Sequence, residues 1–182
     1  MSIRIHRYHR IALAVSLVAV AIAGVSSLGQ NAHKQTPILR TISFSIAKEY
    51  KTLGELRSDA NVVALVSVVG VPVDSNRLGN IPTVDVQLQV EKVLAGIANV
   101  GDHITLVQIG DPSGHTTVTD PIPPILQNGK RYVVYLNRQF PDQPQMMITG
   151  QAGVFEAGSG TQFIRLGDAS SHLPKNPTLD QF

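Results

Sequence analysis

The sequence predicts a mainly β fold: a small barrel, preceded by a short helix and, at the N-terminus, by an apolar targeting helix. Three observations predict it. Residues 1–10 contain Arg4, Arg7 and Arg10 and no acidic residue, and an uncharged apolar run follows them. From Val62 onward, short runs rich in β-branched residues are separated by glycine and proline, the pattern of successive strands and turns. No alternating helices interrupt these runs, which favours an all-β domain over alternating strand and helix units.

The N-terminal run comes first in chain order. Ile11 to Val25 is uncharged, and a basic stretch ahead of an apolar run is the pattern of an export signal, the positive end staying in the cytoplasm. Ala21-Ile22-Ala23 and Val25-Ser26-Ser27 each offer a small-x-small cleavage site. Uncleaved, Ile11 to Leu28 gives 18 residues, at the lower end of the roughly 17–25 that span a bilayer. Cleavage and anchoring both stay open, and both place the rest of the chain outside the cytoplasm. The expected organisation is a signal peptide or signal anchor at 1–28, a linker at 29–45, the β domain at 46–166 and a flexible polar tail at 167–182.

Composition supports a packed extracytoplasmic domain. Hydrophobic residues make up 43% of the 182-residue chain and charged residues 15%, too apolar for disorder. The net charge of +2 belongs to the leader: without Arg4, Arg7 and Arg10 the 15 Lys and Arg fall to 12 against 13 Asp and Glu, a net charge of −1. A near-neutral domain has no basic patch to neutralise phosphates, so no nucleic-acid partner is expected. The absence of cysteine excludes disulfides, thiolate metal sites and cysteine nucleophiles.

The elements of the domain follow in order. Ile38 to Ile46 reads as a loose strand or extended entry. Thr52-Leu53-Gly54-Glu55 has capping-box spacing, with the threonine hydroxyl accepting from the Glu55 amide and the carboxylate reaching back to the Thr52 amide. A short helix from Leu53 to Ser58 follows. Val62 to Val71 is almost wholly apolar, as a strand buried on both faces is. Pro72 to Pro82 reads as a loop. In Thr83 to Val93, Val84, Val86, Leu88 and Val90 alternate with Asp85, Gln87, Gln89 and Glu91, so one face is apolar and the other wet. His103 to Ile109 is the next strand. Gly110 to Gly129 is a long loop with Pro112, Pro121, Pro123 and Pro124, ended by the turn signal Asn128-Gly129. Strands follow at Arg131 to Asn137, Met146 to Thr149, Gly153 to Glu156 and Thr161 to Leu166, the last two joined by Gly158-Ser159-Gly160. Burial on both faces of the longer strands favours a closed barrel, since closure removes exposed edges.

Leu56-Arg57-Ser58-Asp59-Ala60-Asn61-Val62-Val63, then Glu91-Lys92-Val93-Leu94-Ala95-Gly96, then Leu126-Gln127-Asn128-Gly129-Lys130-Arg131-Tyr132-Val133-Val134-Tyr135-Leu136, and finally Met146-Met147-Ile148-Thr149 stand in an order that resembles the oligonucleotide/oligosaccharide-binding (OB) barrel of netrin-like modules and tissue inhibitors of metalloproteinases. The resemblance covers about residues 53–157 and implies an OB-like barrel of about five to seven strands. It also resembles cysteine-free bacterial exported versions of unassigned role. The inhibitors hold a catalytic zinc through an N-terminal cysteine, which this chain lacks, and Ala95 stands where lysine is common before the glycine. The fold is implied; the zinc-blocking mechanism is not.

Candidate chemistry is sparse. His33, His103, His115 and His172 form no metal-binding spacing. Asp111, His115 and Asp120 share the long loop, where they would meet around a metal or as acid and base; a solvated polar loop is the plainer reading. Ser113 follows Gly110-Asp111-Pro112, which displaces the first glycine of a nucleophile elbow by one position. Tyr132 and Tyr135, three apart on a strand, point to opposite faces, one into the core and the other as a platform for stacking a ligand. No catalytic residue, cofactor or metal is expected. Tyr132, Tyr135, Asp111 and His115 are the candidate ligand contacts of a non-enzymatic binding module whose partner is a protein or cell-envelope component. The alternatives are a secreted protease inhibitor acting through an exposed loop and, behind it, a loop-based hydrolase.

Overall fold

Thr52 starts the one α-helix among the described residues, α1 (Leu53–Asp59): its hydroxyl accepts from the Glu55 amide at 3.1 Å. The Glu55 carboxylate accepts from the Lys51 amide at 2.8 Å, one residue before the Thr52 amide that box spacing predicts. The computed structural model describes residues 40–42, 48–111, 116–118, 122–138, 144–150, 152–167 and 172–182. The apolar run of residues 11–28 lies outside them. No helix among the described residues is long and apolar enough to cross a membrane.

The described residues hold ten strands: β1 (Arg40–Ile42), β2 (Val62–Val68), β3 (Val73–Asp74), β4 (Thr83–Gly96), β5 (His103–Ile109), β6 (Thr116–Val118), β7 (Arg131–Asn137), β8 (Met147–Ile148), β9 (Val154–Ala157) and β10 (Phe163–Arg165). β1 and β6 pair in parallel as a separate two-stranded sheet. The other eight form one antiparallel sheet in the order β10-β9-β7-β2-β4-β3, with β5 also on β4 and β8 also on β7.

The mainly β class stands, and the two clearest strands of the sequence form its centre. β2 pairs with β4 on one side and β7 on the other. Its alternate residues feed two cores, as a doubly buried strand must. Val62, Ala64, Val66 and Val68 join Val84, Val86, Leu88 and Val90 of β4 and Tyr132, Val134 and Leu136 of β7 in an inner core. Val63 and Leu65 join Leu56, Val133, Tyr135 and Phe155 in an outer core. Each fully buried valine or leucine contributes roughly 1.5–3 kcal/mol of apolar transfer.

β4 runs three residues past the predicted Val93. The register slips twice along β2: Val63 faces Ala95 while Ala64 faces Val93, and Leu65 faces Lys92 while Val66 faces Val90. Leu94 and Glu91 are therefore extra residues, two bulges that bend and twist the strand. The bulge at Glu91 also breaks the even-numbered alternation, so that Val93 packs on the inner core after Val90.

The closed barrel is not made as a continuous ladder. β5 meets the chain before β8 at a single parallel bridge, Leu106 opposite Met146. There the Met146 amide donates to the Thr105 carbonyl at 3.0 Å and the Val107 amide to the Met146 carbonyl at 2.8 Å. The next rung toward the N-terminus of β5 needs an amide from residue 144, and Pro144 has none.

Two further departures concern segments without regular strand pattern. In the long loop, buried Gln108 accepts from the Leu126 amide at 2.9 Å and donates to the Pro124 carbonyl at 3.2 Å, pinning its second half. The tail assigned to 167–182 is packed from 172 onward. Leu173 and Phe182 are buried in the outer core, and the Phe163 and Arg165 amides donate to the Pro177 and Lys175 carbonyls. Phe182 stacks edge-on to Phe155 and Phe163, with ring centroids 4.9 and 5.5 Å apart. The segment thereby covers the outer edge of β10, which a lone edge strand would expose.

Candidate functional site

The imperfect closure leaves a cleft of about 290 Å³ in the wall between β5 and the chain around β8. Asp102, His103, Ile104 and Thr105 line one side, Arg138, Pro144 and Met146 the other, and Val62, Ile97 and Ala98 the end. Asn61 fixes the end of this cleft. Its amide donates to the Leu136 carbonyl at 2.8 Å, its carbonyl accepts from the Ile97 amide at 3.3 Å, and its side-chain oxygen accepts from the Arg138 amide at 2.7 Å. One residue thus binds β2, β7 and the β4–β5 hairpin together.

Gly96 makes that approach possible. It sits opposite Val62 with φ at +93°, and an added Cβ would lie 1.9 Å from the Asn61 carbonyl oxygen. Any side chain there would push the hairpin away from β2.

The charges of the cleft are unequally occupied. The Asp102 carboxylate accepts from the Asn99 amide at 2.8 Å and closes its own turn. Arg138 is exposed, and its guanidinium has no ion-pair partner among the described residues. Arg77, Lys130, Arg131 and Lys48 are instead paired with Asp85, Glu156, Glu91 and Asp59. The hairpin tip holds Ile97, at the end of the cleft, and Val100 in solvent, at 72% and 69% exposure.

Of the residues named from the sequence, His103 lines the cleft, and the candidate ligand contacts Tyr132, Tyr135 and Asp111 do not. Tyr132 and Tyr135 are 1% and 0% exposed, so neither ring offers a face for stacking. Strand alternation sends them to opposite cores. The Tyr132 hydroxyl accepts from the Gln127 amide at 3.1 Å. The Tyr135 hydroxyl is buried without a hydrogen-bond partner, and burial pushes it up to about 12. Asp111 is half-buried at the end of β5, and His115, Ser113 and Asp120 lie outside the described residues. His103 is exposed at the start of β5, in the cleft, and His172 is exposed on the C-terminal segment. Among the described residues no group of three or more His, Cys, Asp or Glu stands close enough to hold a metal.

Arg138 and Asn61 stand with His103 at the cleft without a motif to mark them. The signals for them are modest: an Asn directly before the doubly buried strand, a glycine ending the alternating strand, and Pro144 placed where the last ladder would form. Compared with protein-family models, curated proteins and solved structures, the chain matches none.

Proposed function

We propose that this chain is an extracytoplasmic, non-enzymatic binding module built on a partly open OB-like barrel, which holds a protein or cell-envelope partner in the cleft beside β5. The cycle β2-β4-β5-β8-β7, antiparallel except at the β5–β8 bridge, supports the OB-like reading. The basic and apolar N-terminal residues support the extracytoplasmic one. The observation that carries the function is the make-up of the cleft: Asp102, His103, Thr105 and Arg138 give it a mainly polar lining, beside Ile97 and Ile104, and its one guanidinium has no ion-pair partner among the described residues. A concave site where several polar groups converge is a candidate ligand site. Its volume, at the lower end of the roughly 300–1,000 Å³ of small-molecule pockets, suits a short segment better than a large cofactor.

The test is a cross-linked pull-down of the tagged full chain from its own cell envelope, beside the Ile97→Asp variant. The reading expects a partner retained by the wild type and lost from the variant. An identical set of bound proteins from both overturns it.

The exposed Ile97 and Val100 also favour a second reading, an inhibitor that presents this hairpin to an extracellular protease. Failure to inhibit a panel of extracellular proteases at micromolar concentration would dispose of it.

A further inference from the structure

We propose that the free edge of β5 accepts the C-terminal end of an extended partner peptide, whose terminal carboxylate pairs with Arg138. This rests on the binding-module reading and specifies its ligand.

The backbone supplies the first part. The Thr105 carbonyl and the Val107 amide point away from β4, toward Met146. In an extended strand the amide and carbonyl of one residue point to the same edge and alternate with those of the next. The His103 amide and carbonyl and the Thr105 amide therefore face the cleft. On the other edge, the Asp102 carbonyl turns to β4 and accepts from the Val90 amide at 2.9 Å. No described residue partners the three groups, and Pro144 cannot supply the amide that the His103 carbonyl lacks. Two donors and one acceptor in a row fit one kind of ligand, another extended backbone added to the sheet edge.

The geometry also sets which part of the peptide fits. The free edge spans only His103 to Thr105, bounded by the β4–β5 turn at Gly101-Asp102 and by the Met146 bridge. An added strand has room for about one rung before it must stop. A chain end satisfies that limit. Arg138 selects the carboxyl end over the amino end, because a guanidinium without an ion-pair partner attracts a carboxylate and repels an ammonium group. Ile97, Ala98 and Ile104 supply the apolar part of a mainly polar lining, and a small aliphatic last side chain fits against them.

The experiment is fluorescence polarisation with the full chain in detergent micelles. The probes are dye-labelled hexapeptide pools with five randomised positions and a terminal valine, made as the free acid and as the amide. The free-acid pool is expected to bind at least about tenfold more tightly than the amide, since a hydrogen-bonded charge contributes on the order of a tenfold change in affinity or more. Arg138→Glu is expected to remove the difference and Arg138→Lys to keep part of it. Arg138 is exposed, so both variants should melt like the wild type; a variant that does not is replaced by Arg138→Gln. Equal binding of acid and amide, an Arg138→Glu variant that still prefers the acid, or no binding of either pool overturns the proposal. If the pools fail while Ile97→Asp still loses an envelope partner, the peptide-end ligand is wrong and the binding module stands; if both fail, the module reading goes too.

Discussion

Replacing Gly96 with alanine tests the junction on which the cleft is built. The new Cβ would meet the Asn61 carbonyl oxygen at 1.9 Å, the Asn61 carbonyl carbon at 2.8 Å and the Val62 Cα at 2.9 Å. All three are backbone atoms, so no side chain can swing aside and either β2 or the hairpin must move. The positive φ adds about 1–2 kcal/mol for any residue with a Cβ. Relieving the overlap costs a further 1–3 kcal/mol or so, as overpacking does. The Ile97 amide bond to Asn61, at 3.3 Å, is lost with the movement, at about 1 kcal/mol. The total is about 3–6 kcal/mol, a fall in melting temperature on the order of 10–20 °C for a domain of this size. Gly101→Ala is the control, because Gly101 also has a positive φ, +90°, but meets nothing within 4 Å. It should show only the conformational part. Thermal and urea unfolding followed by circular dichroism measure both. If Gly96→Ala loses no more stability than Gly101→Ala, close approach of the hairpin to β2 does not hold this end of the sheet.

Tyr135→Phe removes a buried hydroxyl without a partner and should raise stability by about 1 kcal/mol; Tyr132→Phe removes the acceptor of the Gln127 amide and should lower it by a similar amount. A shift of both urea midpoints in one direction contradicts this assignment. Phe182→Ala opens the outer aromatic cluster and should cost about 2–4 kcal/mol, read in the same unfolding curves; a change below about 0.5 kcal/mol means the C-terminal segment is not part of the core. Hydrogen bonding from Arg77 holds the Asp85 carboxyl below the usual carboxylate range. A carboxyl lowered in the folded state stabilises it above the unfolded value near 4, and that contribution is lost as pH falls through the lowered folded value. Asp85→Asn should therefore flatten the acid side of the stability profile below about pH 4, and an unchanged slope argues against the pair.

The fold was legible where periodicity is strong and weakly legible where geometry is set at a distance. Val84 to Val90 predicts its strand because side-chain alternation has a physical period of two, and Tyr132 to Leu136 predicts its own because an unbroken run of β-branched and aromatic residues suits a strand buried on both faces. The bulges at Glu91 and Leu94 leave no such mark, since an extra residue shows only once the partner strand is known. The packed C-terminal segment was hidden for a similar reason: Leu173 and Phe182 are isolated apolar residues among prolines and polar residues, and they are buried by the outer core that distant elements such as β7, β9 and β10 build. The candidate site was the least visible part. Tyr132 and Tyr135 drew notice as aromatics, yet the two-sided burial that made β7 predictable also removes both from any ligand. Arg138 and His103 carry no motif; their place follows from Pro144 interrupting a ladder between strands about forty residues apart.

Amide hydrogen exchange at β5, read residue by residue by nuclear magnetic resonance on the isotopically labelled full chain in detergent micelles, tests the open edge most directly. The free protein should exchange the His103 and Thr105 amides quickly while Val107, bonded to the Met146 carbonyl at 2.8 Å, stays protected. Saturation with the free-acid valine-terminated peptide pool should slow the His103 and Thr105 amides at least about tenfold, the response of an edge that gains a strand. Protection of both amides in the free protein, or exchange unchanged at saturation, would contradict it.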